Sequence, residues 1–141
     1  MKLLITKEFG WDSAHCLRIG DEKESEAIFG KCKNLHGHFY KFFVTVSSAK
    51  YEDGSNHFKN GMIINFVELK KVVNELIVER FDHKYLNDDP LYRDGRLTTC
   101  ENQIQDIWYI LEDSLFDIGC QLEELKLYET PTSYATLRRE E

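Results

Sequence analysis

Apolar and polar side chains alternate from Leu3 to Phe9 with the two-residue period of a half-buried strand, which predicts a strand over about Lys2 to Phe9. A second run, Phe39-Tyr40-Lys41-Phe42-Phe43-Val44-Thr45-Val46, is rich in aromatic and β-branched residues and carries the same reading on to Ser48. Between them lies a long polar stretch, in which acidic Asp21 to Ala27 reads as an exposed loop. The period then changes. Phe66, Leu69, Val72, Val73, Leu76 and Ile77 recur at helical spacing with lysines on the other side, so a first helix is expected after Asn65. A second is expected to begin near Thr98 or Thr99, where Thr98-Thr99-Cys100-Glu101 has the form of a capping box. It runs through Ile104, Ile107, Trp108 and Leu111 to about Phe116. Leu122 to Glu129 and Ser133 to Leu137 close the chain as a hairpin around Pro131. The order ββααββ predicts an α+β protein, a four-stranded antiparallel sheet with two helices on one face.

Composition narrows the class without naming a chemistry. The 141 residues fit one domain, 1–141, large enough to bury a core without disulfides or a structural metal. A net charge of −7 argues against nucleic acid or an anionic membrane as partner. Four cysteines, with no apolar leader and no 18-residue apolar run, lead us to expect a cytoplasmic protein with free thiols. Cys16, Cys100 and Cys120 read as small packing residues, and His57 as a loop histidine.

The chemistry concentrates in Lys31-Cys32-Lys33-Asn34-Leu35-His36-Gly37-His38. On a strand, residues i and i+2 share a face about 6.6 Å apart, so His36 and His38 can converge on one ion. On a helix they would point almost oppositely, and Gly37 with the β-rich run that follows argues for strand. His15, after Trp11-Asp12-Ser13-Ala14, can join them from a neighbouring antiparallel strand. Three neutral imidazoles suit zinc. Cys32 has two readings at this point: the fourth ligand of a closed structural site, or a thiol beside an open one. Asp82-His83 can be a helix C-terminal cap, Glu101 a capping residue, and Glu129 a strand-end surface glutamate.

Taken in order, a set of short motifs resembles one family over nearly the whole chain. The marks are Ser13-Ala14-His15, Cys32 with His36-Gly37-His38, Gly61-Met62-Ile63-Ile64-Asn65-Phe66 and Phe81-Asp82-His83-Lys84-Tyr85-Leu86-Asn87. They continue with Thr99-Cys100-Glu101-Asn102 and Tyr128-Glu129-Thr130-Pro131-Thr132-Ser133-Tyr134. The family is the tunnelling-fold group that contains 6-pyruvoyl-tetrahydropterin synthase and the bacterial 6-carboxy-5,6,7,8-tetrahydropterin synthase. The resemblance implies a zinc held by His15, His36 and His38, with one coordination position open to substrate. It implies Cys32 as a proton-transferring thiol assisted by Asp82 and His83, Glu129 as the carboxylate that anchors the pterin, and Thr99 and Glu101 as pocket lining. The substrate it implies is 7,8-dihydroneopterin triphosphate.

The three-residue gap between Cys32 and His36 resembles the 6-carboxy branch, as does Glu129 to Tyr134. That branch releases acetaldehyde and triphosphate and serves queuosine and deazapurine synthesis. Phe29-Gly30-Lys31-Cys32 and the long insertion before it resemble the pyruvoyl branch instead. A zinc- or pterin-binding module without turnover is the reading from another class. The family also implies a homo-oligomer, trimers pairing into hexamers with sheets joined into a barrel, which would relieve the unpaired edges of an open sheet. Arg18, Lys23, Lys31 and Lys33 are then the cations available to a triphosphate.

Overall fold

A computed structural model describes residues 1–141. Its sheet contains β1 (Ile5–His15), β2 (His36–Ser48), β3 (Lys84–Tyr85), β4 (Cys120–Thr130) and β5 (Ser133–Arg138), in the spatial order β3-β1-β2-β4-β5. The four long strands pair antiparallel, as the pattern predicts. The added β3 pairs parallel to β1 through Ser13 and Lys84, so the sheet is mixed and five-stranded rather than four-stranded. A two-residue strand leaves no periodic trace in a sequence, and it forms because the preceding helix delivers the chain to the end of β1.

The two opening strands are longer than expected. In β1 the inward positions continue from Phe9 through Trp11 and Ser13 to His15, all buried. The period of two persists, but its last inward residues are polar. β2 likewise starts at His36, ahead of the aromatic run. Inward residues Phe9, Trp11, Tyr40, Phe42, Val44, Val46, Leu125 and Leu127 form one cluster with the apolar faces of the helices. On the outer face, the Phe39 ring lies over Gly10, where a Cβ would meet its Cζ at 2.5 Å.

The segment expected to be an acidic loop is instead a helix, α1 (Glu22–Phe29). Asp21 caps it by accepting the Glu24 N–H at 2.9 Å, and Glu22 and Glu24 complement the dipole of the first turn. Buried Ser25 exchanges hydrogen bonds with both main-chain groups of Ile19. Polar anchoring replaces an apolar stripe here, so hydrophobic periodicity gives no sign of the helix. A single 3₁₀ turn, Gly30–Lys33, leads on to β2.

Asn65 caps α2 (Phe66–Val73) through the Val67 N–H. Its buried residues Leu69 and Val73 are followed by Ile77 and Phe81, each four positions further on. Steps of four drift by about 40° each on a regular helix. The π turn over Asn74–Val78 winds more widely and takes that drift out, so Ile77 and Phe81 (the latter in α3, Glu79–Phe81) still meet the sheet. Phe66, expected in this stripe, is about half exposed. Residues 100–117 form α4 (Cys100–Asp117), with Ile104, Ile107, Leu111 and Leu115 buried. Its cap is Thr99, accepting the Asn102 N–H at 3.2 Å, one residue later than a Thr98/Glu101 box requires. No helix is long and apolar enough to cross a membrane. Leu111→Ala should cost about 2–5 kcal/mol, since the side chain is fully buried and a cavity would remain. Chemical denaturation measures this, and a loss below about 1 kcal/mol would mean that the core under α4 closes over the gap.

Candidate active site

Three adjacent strands end their inward apolar stripe on a polar residue. Phe9-Trp11-Ser13 leads to His15 on β1, Phe42-Tyr40 to His38 and His36 on β2, and Leu125-Leu127 to Glu129 on β4. Antiparallel pairing sets His15 opposite His36, and Ser13 opposite His38. The three imidazoles therefore meet at one end of the sheet, with ring centroids 4.6, 4.9 and 5.2 Å apart. One ring nitrogen from each lies within 4.8 Å of the others.

Hydrogen bonding prepares these rings as ligands. His15 Nδ1 lies 2.9 Å from the Thr98 carbonyl, and His36 Nδ1 lies 2.7 Å from the Asn34 carbonyl. A carbonyl only accepts, so each Nδ1 carries the proton and each Nε2 offers its lone pair. His15 Nε2 and His38 Nε2 are buried without a hydrogen-bond partner. Burial lowers the His15 pKa to about 4, with His36 and His38 pressing the same way, and burial also depresses His38. Neutral imidazoles with unshared nitrogens fit a divalent cation such as zinc. Glu129 Oε1 stands 3.5 Å from His15 Nε2 and 3.6 Å from His38 Nε2. It lines a cleft of about 590 Å³ with His38, Phe39, Lys41 and Tyr128, a volume suited to a small organic molecule.

Cys32 is not among the converging atoms, and its thiol is exposed. Its carbonyl accepts the Leu17 N–H at 2.9 Å, which ties the 3₁₀ turn to the chain just beyond His15. Asp82 and His83 gather with Asp12 into a second cluster. His83 Nδ1 is 2.9 Å from Asp82 Oδ2, the His83 N–H donates to the Asp12 carbonyl, and the Asp12 N–H donates to Asp82 Oδ1. The contact with Asp82 raises the His83 pKa and lowers that of Asp82. His83 takes a left-handed backbone conformation, φ 57°, which turns the chain from α3 into β3. Within the chain His83 and Asp12 line a different cleft from Glu129, and Gly37, His38 and Phe39 belong to both.

Thr99 and Glu101 do not line the Glu129 cleft. The Thr99 hydroxyl caps α4, and the Glu101 side chain is exposed. The contact that matters from this segment is Thr98, which is fully buried against His15. Read as a capping residue, it gave no sign of that role. Asp12 joins the Asp82-His83 cluster through its carboxylate and through both of its main-chain groups. Burial pushes the thiols of Cys100 and Cys120 up to about 12, consistent with packing roles. Cys16 is buried with Sγ 3.1 Å from the Tyr85 hydroxyl.

A sheet backed by helices, carrying three convergent imidazoles at one end, defines an α+β protein with a candidate metal-ligand cluster, whose His38 borders a cleft of small-molecule size. The family model described as 6-pyruvoyl tetrahydropterin synthase matches residues 4–140, and the chain belongs to that family of pterin-synthesising enzymes. A 6-carboxy-5,6,7,8-tetrahydropterin synthase of Haemophilus influenzae is 31% identical, over 92% of this chain and 94% of that protein. A 6-pyruvoyl tetrahydrobiopterin synthase of Dictyostelium discoideum is 34% identical, over 98% of this chain and 97% of that protein. The structure of Caenorhabditis elegans 6-pyruvoyl tetrahydropterin synthase shares the fold, with a TM-score of 0.79 at 23% identity over 98% of this chain and 96% of that one.

Proposed function

We propose that the protein is a zinc-dependent 6-carboxy-5,6,7,8-tetrahydropterin synthase, converting 7,8-dihydroneopterin triphosphate to 6-carboxytetrahydropterin, acetaldehyde and triphosphate. The observation that carries this reading is the trio of convergent imidazoles beside the Glu129 carboxylate at the rim of a cleft. His15, His36 and His38 hold the zinc, which when bound supplies Lewis acidity toward the hydroxyls of the substrate side chain. Glu129 accepts paired hydrogen bonds from the amino-pyrimidinone edge of the pterin. Cys32 takes a proton from the side chain as thiolate, and the Asp82-His83 pair returns or removes protons on the other side. With Nδ1 engaged by Asp82, His83 works through Nε2. Of the four cations named from the sequence, Arg18 and Lys33 pair with Glu22, which favours Lys31 and Lys23 for the triphosphate.

The 6-carboxy reading is favoured by the three-residue gap between Cys32 and His36, together with the Haemophilus influenzae relative. The pyruvoyl reading is favoured by Phe29-Gly30-Lys31-Cys32 and the insertion that forms α1, together with the Dictyostelium discoideum relative. We read the working form as a homo-oligomer. β5 has an open outer edge, and β3 covers only the Ser13–Ala14 end of β1, so two strand edges remain for another copy.

Purified protein supplied with 7,8-dihydroneopterin triphosphate should release acetaldehyde together with 6-carboxytetrahydropterin, read by mass spectrometry. A pyruvoyl product without acetaldehyde would move the protein to the other branch. Bound zinc with no consumption of substrate would leave a binding module.

A further inference from the structure

The buried stripe of α4 contains one side chain that hydrophobic packing does not explain. Cys100, Ile104, Ile107, Leu111 and Leu115 are small or apolar, but Gln103 is an amide only 2% exposed. A buried amide persists where its polar atoms have defined partners. Gln103 Nε2 donates to the Thr98 carbonyl at 2.8 Å and to the Tyr40 hydroxyl at 3.3 Å. Both acceptors lead to the imidazole trio.

The Thr98 carbonyl is the group that accepts the His15 Nδ1 proton. It thus receives two donors, one from a ligand ring and one from the first turns of α4. The Thr98 hydroxyl adds a contact to His15 Nδ1 at 3.1 Å and reaches the Cys16 carbonyl at 3.4 Å. Tyr40 is fully buried, and its ring stands edge-on to His15 and His38, with centroids 6.4 and 5.7 Å away. One amide therefore braces two of the three rings, His15 through a carbonyl and both through an aromatic wall.

We propose that Gln103 is a positioning residue for the metal centre, setting the tautomer and orientation of His15 through Thr98 and the placement of His15 and His38 through Tyr40. The inference rests on the reading that the three histidines hold zinc. Partners one step removed from a metal govern affinity by orienting the ligand and tuning its basicity, and losing one typically costs about 10–100-fold in metal binding. Gln103→Leu keeps the approximate volume and an apolar character that suits its neighbours. It frees the Thr98 carbonyl and the Tyr40 hydroxyl from their common donor.

Metal-free protein and its Gln103→Leu variant are titrated with zinc against a chromophoric chelator, and with cobalt(II) while the visible ligand-field bands are recorded. The variant should bind zinc about 10–100-fold more weakly and show shifted or weakened cobalt bands. Its thermal unfolding in the metal-free state should stay close to that of the parent. Tyr40→Phe, which keeps the ring and removes one acceptor, should give a smaller loss in the same direction. It carries the test alone if Gln103→Leu does not fold. Unchanged zinc affinity and cobalt bands, with or without a fall in metal-free stability, would overturn the inference and leave Gln103 a packing residue. A parent protein that binds neither metal would overturn the zinc reading itself, so the two failures are distinguishable.

Discussion

His15→Ala should abolish stoichiometric zinc binding, and turnover with it. The ring is fully buried, its Nδ1 proton is committed to the Thr98 carbonyl, and its Nε2, like that of His38, is buried with no hydrogen-bond partner in the protein. No other histidine, cysteine or carboxylate belongs to the converging set except His36 and His38. The loss should exceed the roughly 10–100-fold that removal of an outer partner causes. Metal content after dialysis, followed by chelator competition, measures it. The fold should survive, since the apolar cluster under α2 and α4 does not depend on this ring. Full zinc occupancy in the alanine variant would remove His15 from the ligand set and the proposed mechanism with it.

Cys32→Ala separates a catalytic thiol from a structural one. The side chain is exposed and lies outside the imidazole cluster, while the contact that ties its turn to Leu17 is made by main-chain atoms. Zinc content and unfolding temperature should therefore match the parent. Turnover should fall by about 10²–10⁴-fold, the range for removing a positioned acid or base. Zinc lost in step with activity would instead make Cys32 a fourth ligand. Retained zinc with full activity would leave the proton transfer to other groups.

The long elements could be read from the chain because burial imposes a period on them. The α4 stripe of Ile104, Ile107 and Leu111, and the β4–β5 hairpin around Pro131, sit where alternation and helical spacing put them. The ends of β1 and β2 were harder, since inward positions there are filled by Ser13, His15, His36 and His38, whose value is chemical. α1 is held by Asp21, Ser25 and Ile19 main-chain contacts, which have no hydrophobic signature. Of the proposed site, His15, His36, His38, Glu129, Cys32 and the Asp82-His83 pair all stand out as residue types in motifs. What braces them does not. Asn34 acts through its carbonyl, Thr98 chiefly through its carbonyl, and Asp12 through both of its main-chain groups as well as its carboxylate, so little in their side-chain identity advertises them.

Pairing between β1 and β2 runs without interruption from Ile5 and Val46 to its last rung, which joins His15 to His36. Ladders fray from their ends, at a fraction of the free energy that opens the whole molecule. An ion gripped by that terminal rung acts as a clasp on the sheet, and its escape needs only the outermost pair to part. Metal exchange should then be a local breathing event, far faster than unfolding. The exchange rate would report on how firmly the neighbouring segments, β3 on one side and the chain around Thr98 on the other, hold the end of β1 closed.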